Sequence, residues 1–466
     1  SASYEGRIAI PPKGLHLRIW HKAPAGHKFM FALNHHDAKG EWMSGRNLTL
    51  AVVGTGDWAQ FDRTVTEFPD AARSVTLNTY PAMWSEGGEG TGKVWLDDLS
   101  LREPDSQREL IEGGDFEPPS PEQLQPRIDW DDWDAAMKVA MEQYHFNSFM
   151  VPIHGMGGGT FHERYEPSLL GYGENDPEYK ALFTSYCRQV QEHLRQKGWL
   201  DRAYVYWFDE PDPKDYEFVN KGFARLKAAG PDLTRMLTEQ VEDALIGGPN
   251  LWCPVSFHYD HDRAEKRRAA GERFWWYVCC GPKAPYATLF LDHPAVELRV
   301  WLWQTWQRRI DGILVWETVY WHSPTAYPGK ELQNPYEDPM SWVSGYSTPK
   351  GARRPWGNGD GRFLYPPPAA VDPKAAGPVL DGPVESIRWE MLRDGIEDYE
   401  YMVILRRLLD GPAGKKLSPD ELAKMKSLLD VPEEISKDMT RFTRRPEPIE
   451  RHREQVARAI ADLSGR

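Results

Sequence analysis

The sequence predicts a multidomain β plus α/β chain, an N-terminal β-sandwich followed by a (β/α)8 barrel with C-terminal helices. Three observations carry this reading. Up to about residue 110, short alternating runs are separated by Gly, Asn, Asp and Pro turns, without helical periodicity. Residues 112–126 are dense in Pro and Gly, the mark of a linker. Beyond about residue 127, apolar strand-like runs alternate with helical patterns, which calls for a parallel sheet. The number of units suits a barrel, with an open doubly wound sheet as the competitor. The boundaries drawn are 1–110 for a carbohydrate-binding-module-like sandwich, 111–126 for the linker, 127–410 for the barrel and 411–466 for a helical tail.

In the first part, His16–Trp20, Lys28–Leu33 and Leu48–Val53 read as strands, and Gly92–Leu101 alternates well. In the second, Trp133, Ala136, Met137, Ala140, Met141 and Tyr144 share one helical face, and the apolar run Asn147–Ile153 follows. Asp176 and Pro177 open a helix that Gly198 closes, leading into Ala203–Phe208. Next come a helix over 215–229, strands near 234–239, 251–257 and 273–279, a helix over 294–309 and a strand over 312–316. Residues 318–383 have no period and are rich in Pro, Gly and aromatics, among them Trp321, Trp342, Tyr346 and Trp356. A loop of this length is expected to serve function, here by covering a pocket. Phe363-Leu364-Tyr365 stands as the candidate for the last short barrel strand. A long amphipathic helix spans 385–410, and two more follow over 418–464, opened by Ser418-Pro419.

Composition narrows the function. Net charge is −14 and there is no large basic cluster, so a nucleic-acid partner is not expected. No run of 18 apolar residues exists, so no membrane span is expected. Twenty Trp and 20 Tyr in an acidic chain point to neutral ligands with apolar faces, and sugars fit. Cys187, Cys253, Cys279 and Cys280 show no zinc spacing and read as buried thiols. The GxGxxG, HExxH, GxSxG and P-loop patterns are all missing; Gly155–Gly159 is glycine-rich without the rest of such a unit. No cofactor is expected. The chain opens at Ser1 without an apolar signal segment, as a processed or trimmed chain would, and an extracellular or periplasmic place is the expectation.

The chemistry concentrates at Tyr204–Pro211, where an apolar strand ends in the adjacent carboxylates Asp209 and Glu210. Strand ends carry the catalytic groups in β/α barrels. Adjacent carboxylates repel, so one can stay protonated beside an ionised neighbour, the division of labour of many glycosidases. The bland alternative is a helix cap and exposed turn. Trp276 and Tyr277, and Trp316, Glu317 and Trp321, close or follow other strands and could line a sugar site, against an equal reading as core. His154 ends the 147–153 run. Glu239 with Gln240, and Asp292, are weaker candidates. Asp97 and Asp98 cap a turn or, alternatively, bind a structural Ca²⁺.

Together with Asp209-Glu210-Pro211, the segments Phe274-Trp275-Trp276-Tyr277, 297–304, 311–316, 359–366 and 388–401 resemble glycoside hydrolase family 123, the β-N-acetylgalactosaminidases. The resemblance covers roughly 125–410. It implies a sandwich before a barrel, and retaining hydrolysis assisted by the substrate's own 2-acetamido group. It also implies that Asp209 holds that group, that Glu210 is the acid/base and that the partner is a glycan ending in β-linked N-acetylgalactosamine. A non-catalytic carbohydrate-binding protein, or a barrel glycosidase acting on another glycan, are the alternatives.

Overall fold

The computed structural model describes the chain except residues 1, 4–5, 84–92, 117–119, 122–123, 161–163, 345–347, 376 and 466. The expected Gly92 strand start, part of the linker and Tyr346 fall outside the described residues. Two compact units divide at Leu124 and Gln125.

In the first unit, strands Leu15–Lys22, Ala59–Val65 and Trp95–Arg102 form a three-stranded antiparallel sheet with Leu15–Lys22 in the middle. Lys28–His36 lies between Leu48–Val53 and Ser74–Tyr80 in a second sheet. Alternation decides which side chains go inward. Leu15, Leu17 and Ile19 of one sheet and Phe29, Phe31, Leu33, Val75 and Leu77 of the other share one core. The strands at 59–65 and 74–80 carry little apolar alternation and escape the sequence reading.

In the second unit, six parallel strands follow one another in chain order across a single sheet: Phe149–Met150, Ala203–Val205, Thr234–Leu237, Leu251–Trp252, Arg273–Val278 and Gly312–Val315. A doubly wound sheet reverses its strand order at a switch point, and this one does not. The result is a half-barrel wall, and among the described residues its two edge strands do not pair with each other. The expected last barrel strand is corrected here. Leu364–Tyr365 pairs antiparallel with Val384–Glu385, because the chain arrives from a hairpin rather than from a crossover helix. That hairpin, Met340–Val343 with Arg354–Asn358, occupies the segment expected to be a loop.

A second correction concerns the helix at Trp133. It is α-helical over Asp131–Lys138 and then π-helical over Val139–Gln143. The wider turn breaks the 3.6 phase, so Met141 is buried while Tyr144, expected on the same face, is 69% exposed. Six other helices lie where periodicity places them: Pro177–Gln196, Tyr216–Ala229, Val296–Gln307, Ile387–Asp410 and, after the capping box of Ser418 and Glu421, Pro419–Lys426 and Glu447–Ser464, whereas the short, highly charged helix His261–Arg268 escapes the sequence reading. No described helix is long and apolar enough to cross a membrane.

Helix Val296–Gln307 is buried almost all round, and Gly395 lets helix Ile387–Asp410 approach it. A Cβ there would lie 3.0 Å from side-chain atoms of Leu302. The same contact buries an ion pair. Asp398 Oδ2 accepts from Arg299 Nε at 2.6 Å and from Trp303 Nε1 at 2.9 Å, and Oδ1 accepts from Arg299 Nη2 at 3.0 Å. Both side chains are almost completely buried. Removing one partner strands a buried charge, which typically costs about 3–5 kcal/mol. Asp398→Ala is therefore expected to lower the stability of this unit by that amount, read from the urea unfolding midpoint; a loss below about 1 kcal/mol would show that Glu450, whose carboxylate also pairs with Arg299 Nη1, and water satisfy Arg299 unaided.

Candidate active site

The strand expected over 203–208 is two strands. Ala203–Val205 lies in the main sheet, while Phe208–Asp209 pairs in parallel with Gly158–Thr160. Tyr206 and Trp207 make the transition. Neighbouring side chains on a strand point to opposite faces, so two consecutive carboxylates could not serve one site on a regular strand. Glu210 leaves the strand conformation with φ +41°, a left-handed value that side chains rarely adopt.

Thr238, which follows strand Thr234–Leu237, holds this turn. Its hydroxyl accepts from the backbone N–H of Glu210 at 3.0 Å and donates to Asp209 Oδ1 at 2.9 Å. The Tyr206 hydroxyl donates to the same Asp209 oxygen. Glu210 Oε1 accepts from the Tyr277 hydroxyl. Burial pushes the Glu210 carboxyl above its ordinary value, the Tyr277 hydrogen bond pulls it back, and the Asp209 charge adds to the rise. Two neighbours are thereby made unequal: Asp209 receives two hydroxyl donors, Glu210 one.

Glu239, next to Thr238, is half-buried. Burial pushes its carboxyl up to about 7, against the hydrogen bond from the Gln240 N–H and with the help of the Glu242, Glu210 and Asp212 charges. Gln240 donates to Glu242 at 2.9 Å.

The other candidates divide. Tyr277 faces the carboxylates. Trp276, expected to face a sugar, points the opposite way and is corrected to core: it is fully buried, donates to Thr305 Oγ1 at 3.0 Å and stacks on Trp301. Trp275 has the parity of Tyr277 and is half-buried. Trp316, at the end of strand Gly312–Val315, is exposed, with its ring 5.3 Å from Tyr320 and 6.5 Å from Trp356. Burial raises the pKa of Glu317 beside it. The indole N–H of Trp321 donates to the Leu364 carbonyl at 2.7 Å, tying it to its own segment's main chain. His154 is exposed, its ring 6.2 Å from that of Tyr186. Asp292 is exposed and accepts from Asn358 at 2.8 Å.

The 318–383 segment is organised by two buried arginines. Arg362 donates to the carbonyls of Tyr320 and Met340, and Arg388 to those of Leu289, Gly359 and Arg362. Cys187 and Cys253 are buried thiols, whereas Cys279 and Cys280 are only half-buried, with sulfurs 3.8 Å apart. Asp97 Oδ1 accepts the Asp98 N–H, a turn cap. Among the described residues no three His, Cys, Asp or Glu side chains are placed to hold a metal ion.

The family model described as glycoside hydrolase 123, catalytic domain, matches residues 162–405. No curated protein matches the chain. Among solved structures, a family 123 glycoside hydrolase from Clostridium perfringens, studied for glycolipid glycan hydrolysis, aligns over 98% of this chain and 93% of its own, at 10% identity and a TM-score of 0.40. Endo-1,4-β-D-xylanase 10B modules from Clostridium thermocellum, complexed with xylohexaose, align over 65% of this chain and 78% of theirs, at 10% identity and a TM-score of 0.23. A variant of β-glucuronidase 2 from Bacteroides uniformis aligns over 68% and 45%, at 10% identity and a TM-score of 0.23.

Glu239 gives this site a pH signature. In the unfolded chain it ionises near its ordinary value, but in the fold it keeps its proton until pH reaches about 7. Its contribution to stability is therefore complete at low pH and lost as pH rises through about 7. Glu239→Gln removes that dependence. The stability of the wild type relative to the variant is expected to fall by roughly 1–2 kcal/mol between pH 4.5 and 8, after allowing for the solvent that reaches this carboxyl. Parallel melting curves at the two pH values measure it.

Proposed function

The chain belongs to glycoside hydrolase family 123, and from that premise we propose that it is a retaining exo-glycosidase that removes terminal β-linked N-acetylgalactosamine. In this reading no enzyme carboxylate attacks the sugar. The acetamido oxygen of the substrate attacks the anomeric carbon and forms an oxazoline-like ring, an exception to the two-carboxylate scheme. Asp209 accepts the amide N–H through Oδ2 and offsets the positive charge that develops on the ring. Glu210 gives its proton to the leaving oxygen, then takes one from the water that opens the ring.

The observation that supports this most is the unequal treatment of the two carboxylates. Both hydroxyls given to Asp209 land on Oδ1, which leaves Oδ2 for the substrate. Tyr277 meets Glu210 at Oε1, so Oε2 is the oxygen that carries the acid proton, and burial favours that protonated form. Trp316 and Glu317 would bound the sugar, with the 318–383 segment and Trp321 closing over it and His154 further out.

Three substitutions and analogues test this together. Glu210→Gln should lower kcat/KM on an unactivated glycoside by about 10²–10⁴-fold and spare a para-nitrophenyl substrate in part, since a good leaving group needs little protonation. Asp209→Asn should slow both substrates alike and weaken a thiazoline analogue of the cyclic intermediate. That analogue should inhibit the wild type competitively, about 10²-fold or more tighter than N-acetylgalactosamine. Brisk cleavage of a plain β-galactoside, or a glycosyl ester trapped on any Asp or Glu, would defeat the mechanism and leave a glycosidase of another kind.

A further inference from the structure

The three-stranded sheet of the N-terminal unit has a second face, turned away from the core, on which some side chains pair with one another and others are left without partners. Along strand Leu15–Lys22 the inward residues are buried, while Arg18 and Trp20 point outward. Residues directly opposite one another in an antiparallel sheet share a face. Trp20 stands opposite Gln60 on one side and Asp97 on the other; in the next row Lys22 stands opposite Trp95. Trp20 is 38% exposed and Trp95 49%, and Trp58, two residues before Gln60, is 43% exposed. Three large indoles along one sheet face thus offer their ring surfaces to a ligand.

The polar groups beside them are equally available. A groove of about 490 Å³ is lined by Arg18, Trp20, Gln60 and Asp98, among others. Among the described residues the side chains of Arg18, Gln60 and Asp98 make no hydrogen bond or ion pair. Asp98 is aimed there by a β-bulge: the register of strand Trp95–Arg102 shifts between Arg18 and Trp20, and Asp98 takes φ +46°. Such bulges re-aim side chains next to binding sites. Gly114 packs against the bulge: a Cβ there would sit 1.8 Å from the Leu99 carbonyl oxygen.

We infer that this face is a second saccharide-binding site, in which a neutral, β-linked glycan lays a sugar ring on Trp20 and gives its hydroxyls to Arg18, Gln60 and Asp98. Trp95 and Trp58 lie where rings before and after would stack. The pairing of an indole face with a guanidinium, an amide and a carboxylate fits a hydroxyl-rich ring, which offers an apolar C–H face and both donors and acceptors at its rim. The carboxylate and the net charge of −14 disfavour a polyanion. A protein partner would ask for a continuous apolar centre, and here the indoles are separated by polar residues.

The test uses the full chain carrying Glu210→Gln, which on the proposed function suppresses turnover, and the Trp20 and Gln60 variants below report on this face whether or not that proposal holds. It is run by affinity electrophoresis in gels containing asialo-mucin, β-galactan, xylan or mixed-linkage β-glucan, each with excess N-acetylgalactosamine to occupy the catalytic unit. Retardation by at least one of these glycans is expected. Trp20→Ala should weaken it at least tenfold, and so should Gln60→Ala, an exposed and milder change whose folding is checked by circular dichroism. Migration unaffected by all four glycans would overturn the inference, as would retardation that both variants leave intact. Sedimentation showing a dimer that Trp20→Ala abolishes would also overturn it, making the face a contact between two copies.

Discussion

One hydroxyl carries the candidate active site. Thr238 takes the backbone N–H of Glu210 and gives its own proton to Asp209, so a single side chain fixes the main chain of one carboxylate and the head group of the other. Without such a brace the pair would follow strand geometry and diverge to opposite faces. The left-handed turn at Glu210 is the alternative conformation, and it needs a partner for the N–H that it takes out of the sheet. Thr238 is 3% exposed, so that hydrogen bond is shielded from water. The parallel register of the strands Ala203–Val205 and Thr234–Leu237 sets Val205 beside Arg235, so that Thr238, three residues on, stands beside the start of strand Phe208–Asp209.

The aromatic residues follow the same geometric rule with the opposite outcome. Strand Arg273–Val278 is regular, so Trp276 and Tyr277 are sent to different layers. The indole completes the packing against helix Val296–Gln307, and the phenol reaches Glu210. Burial of Tyr277 and the Glu210 charge hold the phenol well above its ordinary pKa, so it remains a donor. The segment beyond strand Gly312–Val315 is built differently. It has few strands of its own, and Arg362 and Arg388 supply what a sheet would have supplied, donors for main-chain carbonyls in a dry interior.

Much of this is legible in the sequence, and the gaps have physical causes. Asp209 and Glu210 stand out because an apolar run stops at two charges. Their partners do not, since Tyr206 and Thr238 are ordinary residues whose role depends on strand register, which no spacing encodes. The parity of Trp276 and Tyr277 is unreadable because Phe274–Val278 is apolar throughout and its sequence shows no alternation. The same uniformity lets the sequence announce parallel strands without saying whether they close into a barrel, and six of them form an open wall in chain order. Phe363–Tyr365 looks like a strand and is one, but its antiparallel partner lies in Val384–Glu385, a pairing that only the hairpin before it explains.

Burial alone would push every acid at these strand ends toward its neutral form, and for several it does. Glu239 is raised to about 7, and Asp360, in the turn after the hairpin strand Arg354–Asn358, to about 8, in each case first by desolvation. A site made only of such groups would have acids and no anion to face a developing positive charge. Asp209 differs in its partners: two hydroxyls, those of Tyr206 and Thr238, point their protons at one of its oxygens. The Glu210 side chain, one residue on, accepts from a single phenol; burial raises its carboxyl and the Asp209 charge adds to that rise. The proposed division into acid and anion relies on that coupling between the Asp209 charge and the Glu210 carboxyl. That coupling is why adjacency, unfavourable for two carboxylates in isolation, is an arrangement suited to the chemistry proposed for this site.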